Sequence, residues 1–248
     1  MSTTEINILI LAAGHAGSAA SGDYPLCLTE TGSVSLLERI VNNCAGFTNA
    51  KFTYAFPEDE VRKFHLDNVV GLLTPNARIV GVRQGALGSG CTALLAAAEM
   101  NPREELLIIS ANEFVDVLMI DVVHDFRSRG VDAGTLTFPS IHPRYSYVRL
   151  GADGEVIEAA QQNPISRHAT AGIFWFRSAG AFVDAVKSMI RKGASTDGAF
   201  YPAPAFNEML LEHARVGATA IEPSRYQPLK TEHQVAVFEH AHTLGRAA

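Results

Sequence analysis

The chain has 248 residues, and 47% of them are apolar, so it can bury a large core as one generous α/β domain or as two small ones. We favour a single domain over residues 1–248. The formal net charge is −6 and no cluster of Lys or Arg occurs, which argues against a nucleic acid as the main partner. The three cysteines have no metal-type spacing and form no disulfide framework, which favours a reducing compartment and predicts a cytoplasmic location.

The first segment, Ile6 to Ala13, is apolar except at Asn7 and too short to span a bilayer, so it predicts a buried strand and no membrane anchor. It leads into a glycine-punctuated loop of small residues. In such a loop backbone N–H groups can approach a phosphate, because no bulky side chain stands in the way. No Lys or Arg occurs between this loop and Cys27, so a phosphate would meet backbone dipoles without a side-chain cation.

Strand and helix patterns then alternate, which is typical of a mostly parallel sheet covered by helices. Apolar spacing predicts helices at 35–44 and 58–73 and strands at 51–56 and 79–82. A second glycine-rich turn, 85–92, leads into a helix at 93–100. The apolar strand 106–110 ends in the polar group Ala111-Asn112-Glu113, and ligands of open α/β sheets bind at such carboxyl ends.

The second half of the chain predicts shorter strands, and it is expected to hold a different ligand group. Its predicted strands are 135–138, 145–150, 156–159 and 171–176, with a hairpin turn at 151–154. Its predicted helices are 181–191, 203–212 and 232–242. We therefore divide the single domain at residue 130 into two ligand-binding halves.

Six segments in order carry a resemblance to a known family: 8–17, 88–94, 109–116, 136–147, 163–173 and 200–208. Together they resemble the sugar-phosphate nucleotidyltransferases, the nucleotide-diphospho-sugar pyrophosphorylases, and within them the branch associated with capsule and surface-polysaccharide precursors. The similarity spans nearly the full length. It implies an α/β three-layer sandwich with a mixed, mostly parallel central sheet, the Rossmann-like nucleotide-diphospho-sugar transferase fold. The resemblance makes 1–130 the nucleotide-binding half and 131–248 the sugar-phosphate-binding half.

In that family a sugar phosphate attacks the α-phosphate of a nucleoside triphosphate and pyrophosphate leaves, with catalysis by positioning and charge neutralisation. The family pattern uses an Arg after the first glycine loop, a Lys after a Pro, a Mg²⁺-binding Asp that ends the central strand, and a second Lys. The matching positions here are uncharged: Ala19, Leu26, Asn112 and Gln162. A second metal-binding acid falls on Gln234 or its neighbours.

The resemblance also implies binding residues. Those for the nucleotide are Ala12, Ala13, Gly14, His15, Gly17, Gly88, Ser89, Thr92 and Ser110. Those for the sugar phosphate are Ser146, Glu158, Gly172 and Asn207, and Asn112 is left as the metal position. Mg²⁺ is implied for a catalytic member and no cofactor for a non-catalytic one. Compensating groups are available near the same strand ends: Glu113, Asp116 and Glu158 as acids, and Arg144, Arg167 and Lys230 as cations.

Simpler structural interpretations stand beside these. Asn112 fits a turn at the end of a strand. Cys91 fits a small packing residue rather than a nucleophile, and Trp175 fits the core. Glu104 and Glu105 fit solvated charges. His142 and His168, in contrast, fall within segments that carry the resemblance, which implies that they line the second pocket.

Two functions follow from these patterns. One is a nucleotidyltransferase with weakened catalysis. The other is a non-catalytic descendant that binds a nucleotide, a nucleotide sugar, a sugar phosphate or a partner enzyme, and a homo-oligomer stays open in either case. The neutral replacements coincide with the charged family positions while Gly14, Gly17, Gly88 and Gly172 are kept, which favours retained binding. A glycosyltransferase is disfavoured because no Asp-x-Asp motif ends the central strand.

Overall fold

The computed structural model of the chain describes residues 5–13, 24–83 and 85–244. The strands are β1 (Ile6–Leu11), β2 (Glu30–Thr31), β3 (Val34–Ser35), β4 (Ala50–Pro57), β5 (Arg78–Val82), β6 (Glu105–Ser110), β7 (Glu113–Val115), β8 (Ala133–Pro139), β9 (Ser146–Leu150), β10 (Val156–Gln161), β11 (His168–Phe176), β12 (Val216–Ala220) and β13 (Tyr226–Pro228). The helices are α1 (Leu36–Asn43), α2 (Glu58–Phe64), α3 (Leu66–Leu73), α4 (Ser89–Ala97), α5 (Met119–Arg129), α6 (Ala179–Lys192), α7 (Ala205–Leu211) and α8 (Glu232–Leu244).

A nine-stranded sheet forms the centre of the described fold. Seven of its strands follow one another in the order β10-β9-β11-β6-β1-β4-β5, and β8 and β12 lie off this path. The strands β6, β1, β4 and β5 are parallel, and they carry the first half of the chain. The strand β11 runs antiparallel to β6 and pairs also with β8 and β9, while β12 adds to β8 in parallel. The sheet is therefore mixed, with a parallel part at one side. Two small ribbons, β7 with β13 and β2 with β3, lie outside it.

The central strand β1 is buried on both faces, which explains why its sequence is apolar at every position except Asn7. Ile8 and Ile10 point into one core and Leu9 and Leu11 into the other. Helices α1, α3 and α5 cover the first face, and helices α4, α6 and α7 cover the second. The predicted α/β class and the three-layer sandwich are confirmed.

Local sequence signals set several helix boundaries. The helix α1 begins after Ser35, whose Oγ accepts a hydrogen bond from the Glu38 N–H at 3.1 Å. The helix α6 likewise begins after Ser178, and it ends at Gly193 with φ of +66°. The predicted helical stretch 58–73 divides into α2 and α3 at His65, which has φ of +51°. None of the described helices combines the length and the apolar character needed to cross a membrane.

One prediction about charges is wrong: Glu104 and Glu105 are buried rather than solvated. The Glu105 carboxylate accepts hydrogen bonds from Arg127 Nη2 at 2.8 Å and from Trp175 Nε1 at 3.1 Å. Glu104 accepts hydrogen bonds from Asn7 and Lys51. The two carboxylates are buried because partners from other elements satisfy them. Trp175 is fully buried, as predicted for a core residue.

Candidate functional site

An open cleft lies at the carboxyl end of β6. Open α/β sheets bind their ligands at this edge, where the parallel strands end. Its empty volume is about 650 Å³, including solvent at its mouth. The lining residues are Ser89, Ser110, Asn112, Glu113, Arg144, Tyr145, Ser146, Gln161, Gln162, Thr170, Gly172, Phe174, Tyr201, Pro202 and Lys230. The lining therefore comes from both halves of the chain and is mostly polar.

Glu113 is the buried acid of the cleft, with a side chain that is 5% exposed. Its carboxylate accepts a hydrogen bond from the Tyr226 hydroxyl and lies 3.5 Å from Lys230 Nζ. Burial raises the pKa of Tyr226 well above its usual range, and the neighbouring Glu113 carboxylate raises it further. Tyr226 therefore stays protonated and donates to Glu113, and its ring stacks on Phe138 with centroids 3.9 Å apart.

Gly172 makes room for the Glu113 carboxylate. It lies at an irregularity in the pairing of β11 with β8 and has φ of +69°. A Cβ at this position would overlap the Glu113 carboxyl group, so only glycine fits without displacing the acid. Gly172, which was predicted to bind a sugar phosphate, is thus required at this position by the packing of Glu113.

Two cations, Arg144 and Lys230, face the cleft. On the sequence alone, both are possible replacements for the missing charged residues of the family. Lys230 Nζ lies 5.2 Å from the centroid of the Tyr145 ring, with a side chain that is 24% exposed. Arg144 is half-buried, and its Nε lies 3.2 Å from His142 Nδ1. Arg167 and His168, in contrast, are not among the residues that line the cleft. Anionic ligand groups can therefore meet Lys230 and Arg144 here.

Asn112 lies in the turn between β6 and β7, and its backbone carbonyl accepts a hydrogen bond from the Leu229 N–H at 3.0 Å. The structure thus confirms the turn interpretation. The side chain also faces the cleft, and its Oδ1 atom is buried without a hydrogen-bond donor. A buried acceptor of this kind favours a ligand that brings a hydroxyl or an N–H group.

Other predicted nucleotide-binding residues surround the same edge. Ala12 and Ala13 follow β1, whose last residue Leu11 pairs with Ser110 of β6. Ser89 is the first residue of α4 and lines the cleft. Thr92 is fully buried, and its hydroxyl donates to the Gly88 carbonyl at 3.4 Å.

The remaining predicted positions are spread more widely. Leu26 is half-buried in a single 3-10 turn and packs against the core. Glu158 pairs with Arg149 at 2.6 Å, and the amide of Asn207 bonds both the N–H and the carbonyl of Ala159. Neither Glu158 nor Asn207 lines the cleft. Gly14, His15, Gly17 and Ala19 lie outside the described residues.

Several lining residues were missing from the prediction. Tyr145, Gln161, Thr170 and Tyr201 line the cleft, and Gln161 accepts a hydrogen bond from Ser146 Oγ. The side chains of Ser146 and Gln161 are neighbours across the β9–β10 ladder. The predicted hairpin turn would pair Ser146 with Ala160, and a register shift between Val156 and Glu158 brings Gln161 there instead. No sequence pattern signals this shift, so Gln161 could not have been found.

The described residues do not fit a Mg²⁺ ion. Asn112 offers a neutral amide oxygen, and the Glu113 carboxylate is already engaged by Tyr226 and Lys230. Gln234 is not an acid, and its Oε1 accepts a hydrogen bond from the Lys230 N–H at 2.9 Å. Mg²⁺ demands near-octahedral oxygen ligands, usually with one or two carboxylates. Within the described residues, no three His, Cys, Asp or Glu side chains cluster as metal ligands would.

The cysteines provide a test of the local chemistry. Burial raises the pKa of Cys27 and of Cys44 to about 12, and burial also raises the pKa of the half-buried Cys91. We expect iodoacetamide at neutral pH to leave Cys27 and Cys44 unmodified in the folded protein, because neither forms an accessible thiolate. Labelling followed by peptide mass spectrometry checks this, with urea-unfolded protein as the control. Rapid labelling of Cys91 would contradict its assignment as an unreactive packing residue.

No protein-family model matches the chain, and no curated protein matches its sequence. Solved structures are similar in fold. The nucleoside-diphosphate-sugar pyrophosphorylase from Vibrio cholerae RC9 superposes with a TM-score of 0.78 at 15% identity, over 94% of this chain and 99% of that chain. A UDP-glucose pyrophosphorylase complexed with UDP-glucose gives 0.74 at 12% identity, over 98% of this chain and 100% of that chain. The nucleotide-diphospho-sugar transferase fold is therefore confirmed.

Proposed function

We propose that this chain is a cytoplasmic protein of nucleotide-sugar metabolism, in the supply of surface-polysaccharide precursors, whose transfer chemistry is weakened or lost. Its cleft binds a phosphate-bearing ligand: a nucleotide, a nucleotide sugar or a sugar phosphate. The observation that carries the proposal is the cleft itself, which combines the cations Arg144 and Lys230 with the uncharged side chains Asn112 and Gln162. Such a lining favours binding of an anion over stabilisation of a transition state.

The weak chemistry follows from the charges. A preorganised donor or cation on developing phosphate charge contributes about 3 to 4 kcal/mol to catalysis, which is roughly two to three orders of magnitude in rate. The resemblance places neutral residues at three such cation positions, Ala19, Leu26 and Gln162, and the neutral Asn112 at the position of the metal-binding acid. Asn112 and Gln162 face the cleft. The losses do not add fully, because such groups act as a unit. The expected rate is nevertheless far below that of an ordinary enzyme.

The second candidate is a non-catalytic regulatory or assembly protein. The Glu113–Lys230 ion pair favours it, because the buried acid of the cleft is engaged by a side-chain cation and a tyrosine hydroxyl. In this role the ligand controls the affinity for a partner enzyme. The two candidates share the binding step and differ in turnover.

Two measurements on the purified full chain test the proposal. A panel of ATP, CTP, GTP, UTP, dTTP, UDP-glucose and glucose 1-phosphate is titrated by calorimetry, and pyrophosphate release is followed with each triphosphate, glucose 1-phosphate and Mg²⁺. We expect binding of at least one panel member and pyrophosphate release below about 1 s⁻¹, the low end of ordinary turnover numbers. Pyrophosphate release at an ordinary enzymatic rate would contradict the proposal that catalysis is weakened or lost. Heats of titration equal to the heat of dilution for every ligand of the panel would contradict the proposal that the cleft binds such a ligand.

A matched pair of variants assigns the binding to the cleft. Arg144→Met removes a cation from the lining and is expected to weaken binding of the anionic ligand by about tenfold or more, as for a charge-assisted hydrogen bond of about 1.5–3 kcal/mol. Arg103→Met removes an exposed arginine that does not line the cleft and is expected to leave the affinity unchanged. Equal effects of the two variants would place the ligand elsewhere.

A further inference from the structure

The C-terminal segment brings a lysine to the place where the resemblance implies a metal ion. The backbone N–H of Leu229 donates to the carbonyl of Asn112, so the next residue, Lys230, is fixed beside the end of β6. Pairing of β13 with β7 sets Pro228 opposite Glu113 and holds this segment in register. Lys230 Nζ then lies 3.5 Å from Glu113 Oε1 and over the Tyr145 ring. An ammonium group therefore lies next to the buried carboxylate of Glu113, which follows the implied metal position Asn112 in the sequence.

We propose that Lys230 is the resident cation of the cleft, and that the phosphate-bearing ligand binds beside it without a divalent metal ion. This inference rests on the proposed function and deepens it. A metal ion bound to Glu113 would have to displace a hydrogen bond from Tyr226 and lie against the positive charge of Lys230. A phosphate is attracted to the ammonium group that would repel a metal ion, and it competes with the Glu113 carboxylate for that group.

The buried Oδ1 of Asn112 narrows the class of ligand. It has no donor in the described part of the protein, and it lies in the same lining as Lys230. A ligand that satisfies both groups carries an anionic phosphate for Lys230 and a hydroxyl or N–H donor for Asn112. Sugar phosphates and nucleotide sugars have both features, whereas inorganic phosphate lacks a sugar hydroxyl. The cleft is thus assigned a phosphorylated polyhydroxy ligand that binds independently of metal.

The experiment takes each ligand of the panel that binds the full chain and measures its dissociation constant in EDTA and in millimolar Mg²⁺. We expect the two dissociation constants to agree within about threefold. Mn²⁺ is titrated alone and followed by electron paramagnetic resonance, and no binding below millimolar concentration is expected. Affinity that is lost in EDTA, or a Mn²⁺ site that disappears in Asn112→Ala, would overturn the inference.

Variants at Lys230 separate its charge from its packing. Lys230→Met is expected to weaken binding in EDTA by about tenfold or more, and Lys230→Arg is expected to stay within about threefold of the unaltered chain. Lys187→Met removes an exposed lysine on α6 outside the cleft and is expected to leave the affinity unchanged. Thermal unfolding of each variant shows whether it is folded. An affinity that Lys230→Met leaves within threefold would overturn the inference.

Glu113→Gln is expected to change the ligand affinity in the opposite direction to Lys230→Met. It keeps an acceptor for the Tyr226 hydroxyl but removes the charge that competes with the ligand for Lys230. Anion binding is expected to tighten severalfold, whereas a metal-dependent site would lose affinity on loss of this carboxylate. If no panel member binds the unaltered chain, the proposed function fails and the inference fails with it. Binding that depends on Mg²⁺, or that does not depend on Lys230, overturns the inference alone.

Discussion

Gly88→Ala is expected to lower the free energy of unfolding by about 2 to 6 kcal/mol. Gly88 has φ of +89° and ψ of 171°, a conformation that is essentially restricted to glycine and costs about 1 to 3 kcal/mol for other residues. A Cβ there would lie 2.9 Å from the Phe200 nitrogen and closer still to its carbonyl oxygen, and overpacking of this kind costs about 1 to 3 kcal/mol more. Urea unfolding of the variant followed by circular dichroism measures the loss.

Gly85→Ala is the matched control, because Gly85 lies in the same turn with φ of +96° and a Cβ added to it would meet nothing within 4 Å. It shares the backbone strain but not the close contact, so we expect a loss of about 1 to 3 kcal/mol at most. Equal losses in the two variants would show that the approach of the 199–201 segment to the glycine turn contributes nothing.

The sequence predicts the central strands best because their signal is local. Strand β1 is apolar except at Asn7, and β6 is apolar between its end residues Glu105 and Ser110, since both faces of the sheet are covered. The strand β12 was not predicted, because Val216–Ala220 is a short run of small residues that becomes a strand only by pairing with β8. The helix α5 was missed as well, and it has no side-chain cap at its start.

The site could be predicted only in part, because some of its residues have a local sequence signal and others reach it through long-range pairing. Ser110 and Asn112 were found because they follow a recognisable strand at the edge where ligands of this fold class bind. Tyr226 was not found, and Lys230 appeared only as one of several candidates. Both reach the site through the β13–β7 pairing, which joins segments more than 100 residues apart, as the Tyr226–Glu113 hydrogen bond does over 113 residues. A pairing over such a distance leaves no periodic signal in either segment.

Glu105 shows the same limit for a buried charge. Two adjacent glutamates at the start of a strand look solvated, since Glu is rarely buried unless it is paired. The partners of Glu105 are Arg127, 22 residues away on α5, and Trp175, 70 residues away on β11. Only the packing of α5 on the sheet brings the guanidinium group to the carboxylate.

Arg127→Met is therefore expected to lower the free energy of unfolding by about 2 to 4 kcal/mol. Breaking a buried pair by removal of one partner costs about 3 to 5 kcal/mol, and the partial exposure of Arg127, whose side chain is 31% exposed, reduces that figure. The Glu105 side chain is 5% exposed, and among the described residues it would keep only the Trp175 N–H as a donor. Urea unfolding measures the change, and Arg62→Met, which breaks an exposed pair with Glu58, is expected to cost under about 0.5 kcal/mol.

The double variant Arg127→Met with Glu105→Gln shows whether the loss arises from the unpaired charge. Glutamine keeps an acceptor for Trp175 Nε1 and carries no charge, so it removes the penalty of a buried carboxylate without a cation. We expect the double variant to be more stable than Arg127→Met alone by about 1 kcal/mol or more. Adding the single variant Glu105→Gln completes a double-mutant cycle, which gives the coupling energy between the two side chains. If the losses of the two single variants add up to the loss of the double variant, Arg127, a residue of α5, stabilises the fold through the packing of its aliphatic stem. Solvent then already compensates the charge of Glu105.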